Sequence, residues 1–222
     1  MRPDVLTLRD FYRAPLGLSV QALIGQRLRS TLETHSAERL LCIGYGLPLL
    51  DTFMQDFERI IAFMPARQGA VFWPDNGRCL SLLGDETHLP FDDALFDRVI
   101  IIHALEFLDH VRGLLREVWR VMAPGAKAHI VAPNRSGLWA RVEHTPFGNG
   151  RPFSRRQLNS LLNESLLSTK SWQTSLTLPP LSFLRWLMPL SDRLGQRLWP
   201  RLGGIHIVEA EKVIYAARPL KE

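Results

Sequence analysis

The chain has 222 residues, 46% apolar and 22% charged, ordinary globular proportions that exclude a collagen, a disordered tail and a disulfide miniprotein. No apolar run reaches the roughly 18 residues of a membrane span, and the first ten residues carry acids in place of a secretory apolar core. Net charge is +5, but residues 1–110 hold 10 Lys+Arg against 15 Asp+Glu and residues 111–222 hold 17 against 7. The basic half is therefore either a solvated face or a surface for an anionic partner.

The two cysteines, Cys42 and Cys79, have neither a CxxC spacing nor a nearby His pair. Neither a zinc site nor a disulfide framework is expected, and the expected setting is a reducing cytoplasm.

In chain order, Leu16, Val20, Leu23, Ile24 and Leu28 recur near helical spacing, and residues 5–32 read as helical. Arg39 to Ile43 is a short apolar strand closed by Gly44-Tyr45-Gly46, and Leu47 to Phe57 reads as a helix. Arg59 to Phe63 is a second strand, stopped by Pro65, and residues 66–78 are a broken helix or loop. Cys79 to Leu83 is a third strand, and Phe96 to His103 a fourth, apolar on both faces as parallel strands covered on both sides are. Val111 to Met122 has helical spacing and ends at Pro124-Gly125, before a fifth strand, Ala126 to Ala132. Alternation of this kind implies βαβ units and a doubly wound α/β sheet.

The last third reads differently. Ser154 with Gln157 is a capping box opening a helix through Leu162. Residues 168–178 read as a strand. Leu181 to Trp199 reads as a helix broken by Pro189, and residues 205–217 hold the last strands, clearest at Lys212 to Ala216. Two late strands suggest an antiparallel edge pair. With no linker in view, a single domain over 1–222 is expected, with an N-terminal helical segment at 1–35 and an insertion at 135–205.

Ligands of open α/β sheets bind at the carboxyl ends of the strands, where the strand order reverses. Gly44-Tyr45-Gly46 lies at the first such turn, where glycines let backbone N–H groups approach a ligand or simply make the turn tight. A second constellation follows. Gly84-Asp85-Glu86-Thr87-His88-Leu89-Pro90-Phe91 precedes Phe96-Asp97, and Leu115-Arg116-Glu117-Val118-Trp119-Arg120-Val121-Met122-Ala123-Pro124-Gly125 comes later.

In order and spacing, residues 39–134 resemble the class I S-adenosylmethionine-dependent methyltransferases, in particular the small-molecule group. The resemblance implies a Rossmann-like doubly wound sheet of seven strands, mostly parallel with an antiparallel edge strand, and helices on both faces. It also implies S-adenosylmethionine as cofactor and a small-molecule substrate.

Residue by residue, it places Gly44, Tyr45 and Gly46 beneath the methionine part of the cofactor. Asp85 falls on the adenine amino group, Glu86 beside the adenine ring, and His103 at the cleft between cofactor and substrate. Without the resemblance, Asp85 reads as a turn or capping residue, and His103 as a strand-end histidine satisfied by backbone. Three positions depart from the family pattern. Cys42 and Met64 stand where acids are usual, and Pro48 where a third glycine is usual. Met64 cannot accept the ribose hydroxyls, so Glu58, Asp56 or Gln68 is a candidate to compensate.

Methyl transfer is an in-line displacement that needs positioning and a dry site more than side-chain chemistry. Where the acceptor must lose a proton, His103 is the candidate base, and Glu106 either orients it or the substrate, or faces solvent. In the long loop after the fifth strand, Asn134, Arg135, Trp139 and Arg151 are candidate substrate contacts, with Arg141 a further arginine able to hold a carboxylate or phosphate. His144 has no metal-ligand spacing, and no metal is expected.

The segment 181–201 combines Phe and Trp with Arg, so it is a cover for the sheet, a lid, or a peripheral membrane contact. No nucleic-acid partner is expected, because no aromatic–basic RNA motif is present. The competing reading is a non-catalytic relative whose altered turn no longer serves the cofactor and which binds a protein partner.

Overall fold

The apolar runs at Leu40–Ile43 and Val99–Ile102 become the two central strands of a seven-stranded sheet. We describe a computed structural model over residues 2–32, 36–199 and 201–214. The strands are β1 Arg39–Gly44, β2 Arg59–Pro65, β3 Ser81–Gly84, β4 Phe96–Ile102, β5 Met122–Pro133, β6 Leu167–Ser175 and β7 Ile205–Lys212. Their spatial order is β3-β2-β1-β4-β5-β7-β6. Neighbours among β1 to β5 pair in parallel, while β7 runs antiparallel to both β5 and β6. The late strands therefore form the expected antiparallel pair at one edge. Tyr215 and Ala216, read with the last strand, lie outside the described residues, and β7 ends at Lys212.

The strand period of two sorts side chains onto two faces. Leu40, Cys42, Ile100 and Ile102 point to one core with the N-terminal helices, α1 Val5–Arg13 and α2 Pro15–Thr31. Leu41, Ile43, Val99 and Ile101 point to the other, covered by α4 Val111–Val121 and α5 Arg155–Glu164. The sequence pattern and the burial agree residue by residue here, because both faces of the sheet are dry.

Several elements differ from the expectation. Residues 5–32 form two helices. Pro15 has no N–H to continue α1, and Ala14 before it is extended, with ψ 155°. The stretch Leu47–Phe57 holds only a short α3, Leu47–Leu50, followed by a 3₁₀ turn at Asp51–Phe53. Pro189 does not break a helix. It sits in the first turn of α6 Met188–Leu198, where its missing N–H has no intrahelical partner to lose. A 3₁₀ segment, Ser182–Leu187, leads into α6. The capping box at Ser154 and Gln157 is formed as read.

Candidate functional site

The strand order reverses between β1 and β4, so the crevice that such sheets use for ligands opens above Gly44 and Ile102, which are register partners. Gly44 has φ 94°, and a Cβ there would stand 2.0 Å from the Ile102 carbonyl oxygen. Tyr45 N–H donates to that same carbonyl at 3.1 Å. Gly46 is small for another reason, since its Cβ would meet the Cys42 sulfur at 2.4 Å. Burial pushes the Cys42 thiol up to about 12, so it packs as a neutral group. The glycine turn thus owes its tightness to contacts within the protein.

At the end of β4 the chain reverses at His103, whose φ of 53° is uncommon for a residue with a side chain. The turn delivers the imidazole under α1, where it is buried. Tyr12 Oη lies 2.8 Å from His103 Nε2. The Tyr12 ring also stacks on Tyr45, with centroids 5.9 Å apart. Burial holds the Tyr12 phenol well above its ordinary range, and the neighbouring Tyr45 and Glu106 act the same way, so it stays protonated.

Glu106 Oε1 approaches His103 Nδ1 to 3.5 Å. That is close enough for charge to be felt, but neither atom completes a hydrogen bond. Gln68 Nε2 donates to the His103 carbonyl at 3.0 Å, and its Oε1 is buried without a partner. His103 Nδ1, both Glu106 carboxylate oxygens and Gln68 Oε1 thus form a buried set of unsatisfied polar atoms at the strand ends. Such groups are rare in folded proteins and concentrate where a ligand or a reaction needs them.

Helix α1 lies across these strand ends. Arg2, just before it, donates to Glu86 Oε1 at 2.9 Å, Val5 N–H donates to the Gln68 carbonyl at 2.8 Å, and Tyr12 closes on His103. A cavity of about 820 Å³ opens on the Tyr45 side of α1, lined by Arg9, Arg13, Trp73 and Asp51 among others. A second, of about 290 Å³, opens on the other side between Asp85, Glu86, Phe107 and His110.

The structure brings Gly44, Tyr45, His103 and Glu106 together, and Asp85 with Glu86 one cavity away. The Asp85 carboxylate accepts from Thr87 N–H and Oγ1 at 2.8 and 2.7 Å, which holds it below the usual carboxylate range. Met64 is buried in the apolar core at the end of β2. Of the groups read as able to compensate for it, Gln68 lies in the cleft, whereas Glu58 pairs with Arg39 at the opposite end of the strands and Asp56 pairs with Arg29.

Loop residues reach that cluster through backbone or through Phe147: Arg151 N–H donates to the Glu106 carbonyl at 2.7 Å, and Trp139 packs edge-on against Phe147. Asn134 donates to the Arg201 and Gly203 carbonyls and accepts from Ser136 N–H. Trp139 is fully buried and donates to the Leu178 carbonyl. Arg135 reaches the Pro152 carbonyl, Arg141 lines no cavity described above, and Arg151 pairs with Asp109 in solvent. Tyr12 and Phe147 belong to no motif in the sequence, yet both reach His103, Phe147 with its ring centroid 4.8 Å away. The signal for Tyr12 was its place on the buried face of α1, in line with Val5 and Leu8. Among the described residues no cluster of three or more His, Cys, Asp or Glu is placed to hold a metal ion.

Residues 49–130 match the methyltransferase-domain family model. This is the class I S-adenosylmethionine-dependent methyltransferase fold. A solved S-adenosylmethionine-dependent methyltransferase of Thermotoga maritima superimposes with TM-score 0.64 at 16% identity, covering 92% of this chain and 94% of that one. The geranyl diphosphate C-methyltransferase of Streptomyces coelicolor, solved with Mg2+, geranyl diphosphate and S-adenosyl-L-homocysteine, superimposes with TM-score 0.60 at 16% identity, covering 86% and 77%. The phthiotriol/phenolphthiotriol dimycocerosates methyltransferase of Mycobacterium tuberculosis is 38% identical over 81 residues. That match spans 35% of this chain and 29% of the relative. Within the methyltransferase fold, the Tyr12–His103–Glu106 cluster sits at the carboxyl ends of the central strands.

Proposed function

We propose that the protein transfers a methyl group from S-adenosylmethionine to a small-molecule acceptor of apolar or anionic character. The observation that carries this reading is the buried, unsatisfied set of His103 Nδ1, Glu106 Oε1 and Oε2, and Gln68 Oε1 beneath α1. These are mostly acceptors, and the cofactor is a cation that brings an ammonium and a sulfonium. The Glu106 carboxyl and Gln68 Oε1, which complete no hydrogen bond among the described residues, suit such a charge. Asp85 and Glu86 border the adjoining cavity, so they would hold the adenine end, with Gly44 to Gly46 under the methionine end. Met64 leaves the ribose without a carboxylate, and Gln68 Oε1 is the acceptor nearest that role.

When bound, the cofactor supplies an electrophilic methyl group. The chain's own residues exclude water and handle the acceptor's proton. Tyr12, held protonated by burial, pairs its hydroxyl with His103 Nε2 at 2.8 Å. A proton released by the acceptor passes through the phenol to Nε2, and the Glu106 carboxylate balances the imidazolium from the Nδ1 side. The acceptor class draws support from the relatives, one of which acts on geranyl diphosphate, an apolar chain with an anionic head. Cys42 and Cys79 are both free, which supports a cytoplasmic setting.

The position of α1 across the strand ends favours a second reading, a non-catalytic methyltransferase-like module that binds a protein partner. Thermal unfolding with S-adenosylhomocysteine separates the two. Ligand at a hundredfold excess over its dissociation constant adds about 2.7 kcal/mol, and the shift should shrink in Asp85→Ala and in Glu106→Gln. No shift at millimolar ligand would sink the enzyme reading.

A further inference from the structure

The 3₁₀ segment Ser182–Leu187 and helix α6 turn one face inward and one outward. Met188, Asp192 and Gly195 face the protein, and Gly195 is small because its Cβ would stand 2.4 Å from Thr177 Cγ2. The outward face is apolar. Phe183 is 71% exposed and Trp186 74%, and Leu190, Leu194 and Leu198 continue the row at helical spacing. A contiguous run of large exposed apolar side chains is uncommon on a protein that stays free in water.

Charge identifies what covers it. Residues 181–202 contain four arginines and one acid, Asp192. Asp192 points inward, where it accepts from Arg27, Ser175 Oγ and Leu176 N–H. Arg185 and Arg193 are exposed beside the apolar row. The outer face therefore presents apolar groups and positive charge with no exposed acid among its described residues. We propose that this face docks on an anionic lipid bilayer, with the aromatic and leucine side chains in the interface and the arginines at the headgroups.

The helix lies on the bilayer and does not cross it. An 11-residue helix is about 16 Å long at 1.5 Å per residue, half of the roughly 30 Å hydrocarbon layer. A second copy of the chain is a poor occupant, since a two-fold pairing brings like surfaces together and sets arginines against arginines. The face is also joined to the interior. Leu178, just before the segment, accepts from Trp139 at 2.6 Å, Trp139 packs edge-on against Phe147, and Phe147 packs against His103. Docking does not depend on the methyltransferase reading.

The test is co-sedimentation of the full chain with phosphatidylcholine vesicles, with and without phosphatidylglycerol, at low and high salt. The expected result is binding to the phosphatidylglycerol vesicles that weakens with salt. Phe183→Ser/Trp186→Ser should lose at least tenfold in affinity with its melting temperature unchanged. Each of Arg185→Gln and Arg193→Gln should lose about fivefold. If the paired serine variant melts early, the arginine variants, which leave the apolar row intact, carry the test. Absence of binding to anionic vesicles at low salt, equal binding to neutral vesicles, or undiminished binding by the folded variants would overturn the proposal. So would a dimer in sedimentation velocity that Phe183→Ser/Trp186→Ser abolishes while vesicles capture nothing, which would assign the face to a second copy.

Discussion

Tyr12 and His103, ninety-one positions apart, share a 2.8 Å hydrogen bond beneath α1. This bond ties the N-terminal helix to the end of β4 and fixes the histidine ring in place. Tyr12→Phe keeps the ring stack on Tyr45 and removes the hydroxyl alone. It leaves Nε2 of a buried histidine without a partner, which costs about 1–3 kcal/mol. Urea unfolding of Tyr12→Phe should show that loss. A change below a few tenths would mean that the phenol is hydrated and the pairing is not kept in solution.

The altered glycine turn has its own internal logic. Gly46 and Cys42 face each other across the first turn, with no room for a Cβ between them and the sulfur. Gly46→Ala should destabilise by about 1–3 kcal/mol, the usual cost of overpacking. Cys42→Ala removes the sulfur and should recover part of that cost. The double-mutant cycle is expected to show at least about 0.5 kcal/mol of coupling, as for residues in direct contact. Additive effects would place the strain elsewhere, at the Ile102 side chain.

Two buried histidines should weaken the fold on the acid side. Burial, with the charges of Arg98 and Lys127 nearby, lowers His129 to about 4. Burial also lowers His206 to about 4, against the pull of the Phe153 carbonyl and with the charge of Arg155 acting in the same direction as burial. His206 is neutral by geometry as well, accepting from Trp172 at Nδ1 and facing the Phe153 carbonyl at Nε2. Both groups are neutral in the folded protein, while the unfolded chain takes up protons near pH 6.5. Their contribution is complete above about 6.5 and is lost as pH falls toward 4, on the order of 3 kcal/mol for each. Urea midpoints measured between pH 7.5 and 4.5 should fall accordingly, and His129→Leu should flatten the fall. A midpoint constant over that range would contradict the burial of both rings.

Strand placement was legible in the sequence because β1, β2 and β4 are dry on both faces and therefore read as continuous apolar runs. The place of Asp85, Glu86 and the glycine turn at the strand ends was legible because a local spacing marks them. Tyr12 was not, since its role comes from a contact between segments far apart in the chain, and a tyrosine on the inner face of a helix reads as core. Asn134 and Trp139 looked like loop residues able to meet a ligand, yet their polar atoms hold the Gly203 and Leu178 carbonyls. Composition cannot tell a loop side chain that binds its own backbone from one that waits for a partner. Pro189 misled for a related reason, because a proline ends one helix and starts another with the same residue.

Asp192 decides whether the outward-facing helix stays attached. Its side chain is 1% exposed and Arg27, on α2, reaches it at 2.8 Å with a side chain 20% exposed. Removing the arginine leaves a buried carboxylate with only Ser175 and the Leu176 N–H for company. Breaking one half of a buried pair costs about 3–5 kcal/mol, and the partial exposure of Arg27 puts Arg27→Met near the lower end. The loss is local first, because among the described side chains of α6 only Met188 and Asp192 are buried, with a close approach at Gly195. Limited trypsin digestion should therefore cut Arg27→Met within 181–201 well before the sheet unfolds, with the central strands still protected in hydrogen exchange. Simultaneous loss of the helix and the sheet would show that α6 is part of the cooperative core, and that Asp192 is a general support with no special hold on α6.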